Sequence, residues 1–307
     1  MSGNTIEIAR SAGRKNLQAG QISRLVTVHR SGADRVTVFE TDALIESPNW
    51  TPDGKWLIVN SGGLLYRLSS GGGGALEQID TGTIVNCNND HVLSFDGQFI
   101  YFSAAGHLYE VPISGGNPRR VSNIYTPPES YRYFLHGISP NGKQLAYVAV
   151  EPHNGDAMGL RYLALIPSAG GPDVHLTEKA IPADGPEYSP DGKWIYFNSE
   201  SAATRPGHAQ VFRMRPDGSD VTQLTFDDRV NWFPHLSPNG QWMIYLSYAP
   251  GTVRHPADVD LLIRILPADG GEPRDVLALF GGQGSLNVNS WSPDSERFAY
   301  VEYPPIR

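Results

Sequence analysis

Six near-copies of one short motif pace this chain and restrict its fold more than any other feature. They are Thr51-Pro52-Asp53-Gly54-Lys55-Trp56-Leu57, Ser94-Phe95-Asp96-Gly97-Gln98-Phe99-Ile100, Ser139-Pro140-Asn141-Gly142-Lys143-Gln144-Leu145, Ser189-Pro190-Asp191-Gly192-Lys193-Trp194-Ile195, Ser237-Pro238-Asn239-Gly240-Gln241-Trp242-Met243 and Ser292-Pro293-Asp294-Ser295-Glu296-Arg297-Phe298. Their first residues are spaced 43, 45, 50, 48 and 55 apart, a period in the range of propeller blades. The proline presets φ for the second position of a turn, the Asp or Asn bonds its own backbone, and the Gly takes the positive φ that closes a hairpin. β-Branched and aromatic residues follow, as in Trp56-Leu57-Ile58-Val59 and Trp242-Met243-Ile244-Tyr245-Leu246, so each copy is a turn feeding a strand.

The second half of each repeat is legible too. Leu65-Tyr66-Arg67-Leu68, Leu108-Tyr109-Glu110-Val111, Tyr162-Leu163-Ala164-Leu165, Val211-Phe212-Arg213-Met214 and Leu262-Ile263-Arg264-Ile265 read as third strands, each followed by a glycine-containing turn and a short fourth strand. After Ser292 the chain supplies only part of a blade. The hairpin of Leu25-Val26-Thr27-Val28 and Val36-Thr37-Val38-Phe39 provides what is missing and closes the ring, leaving no free sheet edge. The expectation is an all-β fold, a six-bladed β-propeller in which an N-terminal hairpin completes the last blade. It forms a single domain over residues 21–307, behind a loosely ordered leader over residues 1–20.

With 307 residues, 40% of them hydrophobic and 18% charged, the chain can bury a large core. A net charge of −8 argues against nucleic acid as a partner, because a phosphate-binding surface needs a basic excess. No apolar run approaches the roughly 20 residues that span a bilayer, so membrane insertion is not expected. Residues 1–20 hold no apolar signal-peptide core. The reading is therefore cytoplasmic, with the periplasm as the alternative where a signal has been removed. The single cysteine, Cys87, allows no internal disulfide, and no activating arrangement around it is visible.

In an up-and-down blade, the turns between first and second strands share one end of the ring with those between third and fourth. The other connections lie at the opposite end. The turn end is monotonous, whereas the loop end varies from blade to blade, and the ligand site is expected there. Aligned on the Ser or Thr that opens each turn, the residues three before it are Pro48, His91, His136, Pro186, Pro234 and Asn289. Those two before it are Asn49, Val92, Gly137, Glu187, His235 and Ser290. Because first strands line the central channel, His91, His136, Glu187 and His235 are expected to converge at its mouth. Three imidazoles and a carboxylate are ligand types suited to Zn, with carboxylate adding Mn or Ca. The alternative is that these histidines cap strand ends and bond loop carbonyls.

Other residues of the loop end have two readings each. Asn88, Asn89 and Asp90 suit sugar hydroxyls or cap a turn. Arg132 and Arg254 suit a substrate carboxylate or are solvated charges. Asn231 and Trp232 belong to a stretch that offers a stacking platform or a loop plug. Gln283 points an amide into the channel or closes a glycine loop.

The Ser-Pro-Asp-Gly-Lys repeats resemble those of the TolB-like propellers, and the resemblance covers residues 22–303. It implies the fold, and it implies several functions, because such rings occur in transport-accessory proteins, in the propeller domains of serine peptidases and in lyases that cleave oligogalacturonates. With no hydrolase domain after the ring and no room for a domain before it, the chain reads as neither such a peptidase nor TolB itself. In the lyases, the resemblance implies, histidines and a glutamine hold a metal that neutralises a uronate carboxylate while a base removes the adjacent proton. Carried over by parts, since the lyases' motif order is not reproduced, His91, His136, His235 and Gln283 are the ligands and His255 or Glu187 the base. The ligand expected is then a small molecule or an oligosaccharide. The other reading is a non-catalytic module that binds a protein partner.

Overall fold

A computed structural model describes residues 16–305. Of the leader expected over residues 1–20, residues 1–15 lie outside the described residues, while Leu17 packs against the buried cluster that contains Leu25, Ile45 and Tyr303.

The expected ring is present. Blade 1 is built from Glu46–Trp50, Trp56–Ser61, Leu64–Ser69 and Glu77–Ile79, and blades 2 to 5 repeat this order of four antiparallel strands. Blade 6 joins the two ends of the chain: Ser23–His29 pairs with Arg297–Glu302 on one side and with Val36–Thr41 on the other. Its innermost segment forms no regular ladder: it pairs through an isolated bridge, Trp291 with Phe298, and accepts single backbone bonds from the Ala299 and Val301 N–H groups. Among the described residues a single 3-10 turn, Pro128–Ser130, interrupts an otherwise all-β fold.

The turn motif works the same way six times. The opening hydroxyl donates to the Asp or Asn oxygen two residues on, at 2.6 to 2.7 Å. It accepts the backbone N–H five residues on at 2.9 to 3.0 Å. One side chain thus satisfies the backbone groups that a tight turn strips from the ladder.

The core lies between blades rather than in one centre. Ile58 and Leu65 of blade 1 pack with Ile100 and Phe102 of blade 2, and Val26 and Phe298 of blade 6 pack with Ile244 and Ile263 of blade 5. Burying each such side chain contributes about 1.5–3 kcal/mol, so the blades hold one another in place. The inner strands of blades 1 to 5 each shift register once, between Glu46 and Asn49, Cys87 and His91, Leu135 and Gly137, Asp184 and Glu187, and Trp232 and His235. Such bulges re-aim side chains, and here they decide what faces the channel.

Candidate functional site

Residues two or three before a turn stand only about 7–10 Å from it at ~3.3 Å per strand residue. The aligned residues therefore belong near the turn end of the ring, which corrects the expectation that placed them at the loop end. A cavity of about 410 Å³ opens on the axis at that end. Each blade contributes the residue just before its turn, giving an apolar wall of Trp50, Leu93, Ile138, Tyr188, Leu236 and Trp291. Pro52, Phe95, Pro190, Pro238 and Pro293 form the rim. Asn49, His136, Glu187 and Asn289 supply its polar floor. Phe95 is the one rim residue that departs from proline, and it is 51% exposed.

The bulges of blades 4 and 5 bring Glu187 and His235 together. His235 Nδ1 lies 2.6 Å from Glu187 Oε2, and its Nε2 lies 3.1 Å from the Leu286 carbonyl. The ring thus lies between an acidic oxygen of blade 4 and a backbone carbonyl of the segment entering blade 6. Glu187 Oε1 accepts from the Leu236 N–H at 2.8 Å and from Asn289 Nδ2 at 2.7 Å. With three hydrogen bonds from His235, Leu236 and Asn289, this carboxylate ties blades 4, 5 and 6 together.

His136, on blade 3, repeats the arrangement. Its Nε2 is 3.3 Å from Asp184 Oδ1, its Nδ1 is 3.2 Å from the Asn287 carbonyl, and the ring stacks on Phe233 with centroids 5.5 Å apart. Burial pushes the imidazole towards neutrality, but the carboxylates of Asp90 and Asp184 outweigh it and raise its pKa above the ordinary value. Asp184 is held low in turn: burial opposes its charge, and the hydrogen bond from His136 prevails. Asp90 is pushed up to about 6 by burial, against the pull of His136.

The remaining candidates are placed as follows. His91 is wholly buried, and neither ring nitrogen makes a well-formed hydrogen bond. Burial lowers its pKa to about 4, with the Ile58 backbone of blade 1 the polar group acting on it. It points between blades while its neighbour Val92 lines the cavity, as strand alternation requires. Asn88 and Asp90 bond each other at 2.6 Å, and Asn89 bonds Glu46 at 3.1 Å. Arg132 bonds the Ala157 carbonyl, and Arg254 pairs with Asp156 at 3.2 Å. Asn231 is fully buried and ties Asp227 to Ser247, and Trp232 is buried in the blade core. His255 packs on the Trp232 and Phe233 rings at 4.4 and 5.0 Å, and burial lowers its pKa. Gln283 accepts from Asn287 at 3.1 Å. Cys87 is buried, and its thiol is pushed up to about 12.

Among the described residues no group of three or more His, Cys, Asp and Glu side chains is placed to hold a metal ion. The set of His91, His136, His235 and Gln283 is not assembled: His91 faces a blade interface, and the nitrogens of His136 and His235 are turned to carbonyls and carboxylates. His255 and Glu187 likewise make separate contacts, with no partner in common. Asn49 and Asn289 are members of the site that residue choice alone passes over, although both stand at the aligned positions. Nothing in the sequence marks Asp184 as the partner of His136.

No helix among the described residues is long and apolar enough to cross a membrane. No family model matches the chain. An uncharacterized protein of Agrobacterium fabrum is 41% identical over 274 residues, covering 88% of each chain. The Tol-Pal system protein TolB of Francisella tularensis is 26% identical over 281 residues, and the alignment covers 89% of this chain but only 60% of that TolB. Among solved structures, a candidate TolB from Agrobacterium tumefaciens superposes with a TM-score of 0.84 at 37% identity, covering 93% of this chain and 99% of that one. An oligogalacturonate lyase in complex with manganese superposes with a TM-score of 0.57 at 15% identity over 87% of this chain and 75% of its own, a likeness of fold alone. The repeat, the six blades and the relative that matches over most of both chains agree: the chain belongs to the TolB-like six-bladed β-propeller family.

Proposed function

We propose that the protein is a non-catalytic binding propeller that receives an extended segment of a protein partner in the cavity at the turn end of the ring. The observation that carries this reading is the composition of the cavity. All six blades supply an apolar wall, while the polar groups of the floor, Asn49 Oδ1 apart, are engaged in hydrogen bonds of their own. Such a surface gains by burying apolar side chains, and among the described residues no group of three or more His, Cys, Asp and Glu is placed to hold the metal that the lyase reading needs. The relatives named as Tol-Pal system proteins support a protein as the partner. The exposed Phe95 at the rim suits an anchor, because interfaces concentrate their energy in a few aromatic side chains.

The test is a peptide-display selection on immobilised protein, followed by titration of the selected peptides against the wild type and against Phe95→Glu and Pro238→Glu. Both residues stand on the rim, so the substitutions leave the inter-blade core intact. Binding weakened by at least about tenfold in both variants, a loss of roughly 1.4 kcal/mol, is the expected result. Selected peptides that bind both variants as well as the wild type would place the partner site elsewhere. Release of unsaturated product from oligogalacturonates, with or without manganese, zinc or calcium, would replace the binding reading with the lyase.

A further inference from the structure

We infer that residues 282–289 form a displaceable partition across the central channel, separating the cavity at the turn end from the buried polar groups on the loop side. The inference concerns the channel itself and holds whether or not a protein partner binds. Its first support is position. This segment occupies the place of the innermost strand of blade 6, yet the His136 imidazole of blade 3, on the opposite side of a six-membered ring, reaches its Asn287 carbonyl at 3.2 Å. A side chain can touch the facing blade only if the segment runs into the channel.

Its second support is the way the segment is held. Four of its carbonyls accept from three different blades: Gly284 from the Ser47 N–H at 2.7 Å, Leu286 from His235, Asn287 from His136, and Asn289 from Asn49 Nδ2 at 2.6 Å. The other five inner strands are held by ladders of paired residues, whereas this one keeps to its own blade by two separate backbone bonds, from the Val301 N–H to the Ser285 carbonyl and from the Ala299 N–H to the Ser290 carbonyl, both at 3.0 Å, and by the bridge of Trp291 with Phe298. Ties scattered over several elements let go one at a time without unzipping a sheet, and elements so held open below the free energy of global unfolding.

Its third support is the hinge. Gly282 and Gly284 take φ values of 119° and 90°, which only glycine adopts freely. Side chains there would collide with the Pro256 carbonyl at 2.0 Å and the Tyr303 hydroxyl at 2.5 Å. Burial of Leu286 and Val288 keeps the closed arrangement dominant, and opening joins the two ends of the channel.

Two measurements test this. In a Cys87→Ser background, Val288→Cys and Leu135→Cys each place one thiol at a fully buried position, the second in the laddered inner strand of blade 3. Iodoacetamide is expected to modify the thiol at 288 at least about tenfold faster than the one at 135, as local opening predicts. Adding Asn289→Ala, which removes the hydrogen bonds that its side-chain amide donates to Glu187 Oε1 at 2.7 Å and to the Leu236 carbonyl at 2.8 Å, is expected to raise the rate at 288 by a further ~5-fold and leave 135 unchanged. In the unaltered chain, hydrogen exchange is expected to be faster over residues 285–289 than over residues 132–138. Equal labelling rates at the two positions, or equal exchange over the two segments, would show a fixed wall and overturn the inference.

Discussion

His91 and His136 occupy the same place in adjacent repeats, three residues before the turn serine, and both are buried. Their situations are opposite. His136 has an acceptor at each ring nitrogen and two carboxylates nearby. His91 lies between blades 1 and 2 with neither nitrogen in a well-formed hydrogen bond. The cause is the position of the bulge. In blade 2 the register shift falls between Cys87 and His91, so pairing is regular again from His91 onward, and alternation sends its side chain off the channel. In blade 3 the shift falls between Leu135 and Gly137, with His136 itself inside the bulge and turned to the axis. One extra residue, placed differently, converts an inter-blade core histidine into a channel tie.

Replacing each histidine by leucine separates the two most widely. His136→Leu leaves Asp184 buried without its imidazole and Asn287 without a donor, and breaking a buried charged pair costs about 3–5 kcal/mol. His91→Leu removes a polar ring that makes no well-formed hydrogen bond, and exchanging an unsatisfied buried polar group for an apolar one is neutral or stabilising within about 1 kcal/mol. Urea unfolding of the two variants at neutral pH measures the difference. Equal losses would mean that His91 has a partner the geometry does not show.

The pair also separates along the pH axis. The native pKa of His91 is depressed to about 4, below the ~6.5 of an unfolded chain. Stability from its neutral ring is therefore present above pH ~6.5 and lost as pH falls through that window, by up to about 3 kcal/mol at 1.36 kcal/mol per pKa unit. His136 runs the other way. Its native pKa is raised, so its contribution is complete below pH ~6.5 and fades as pH rises through the native value. Comparing unfolding free energies of the wild type with those of His91→Leu on the acid side and of His136→Leu on the alkaline side isolates the two slopes. Slopes unchanged by the substitutions would contradict both assignments.

Six blades, the closing hairpin and the turn chemistry were legible because each rests on local signals that recur, and a recurring turn motif fixes strand order. The inward direction of individual residues was not, since it depends on bulges whose positions no residue type announces: Ser47, Gly185 and Phe233 take φ values of 54°, 62° and 57° in blades 1, 4 and 5, and only the glycine advertises it. The choice of end was also missed. Counting back from the turn places Glu187 and His136 close to it, yet the variety of the loops points to the far end. The crossing of residues 282–289 is a tertiary outcome, set by which carbonyls His136 and His235 reach.

The turns give the converse case, with the residue changed and the conformation kept. Five copies have glycine at the fourth position, with φ between 67° and 75°, and the sixth has Ser295 at 64°. A left-handed residue other than glycine costs roughly 1–2 kcal/mol, but the Ser295 hydroxyl accepts the Asn239 N–H of the neighbouring turn at 3.0 Å, worth about 0.5–1.5 kcal/mol. The two nearly cancel. Ser295→Gly is therefore expected to change stability by less than about 0.5 kcal/mol, relief of strain offsetting the lost bond. Ser295→Ala keeps the strain and loses the bond, so it is expected to destabilise by about 1 kcal/mol. Thermal unfolding of both variants decides the matter: a clear gain in Ser295→Gly would show that strain outweighs the bond, and a clear loss that the bond between turns outweighs the strain.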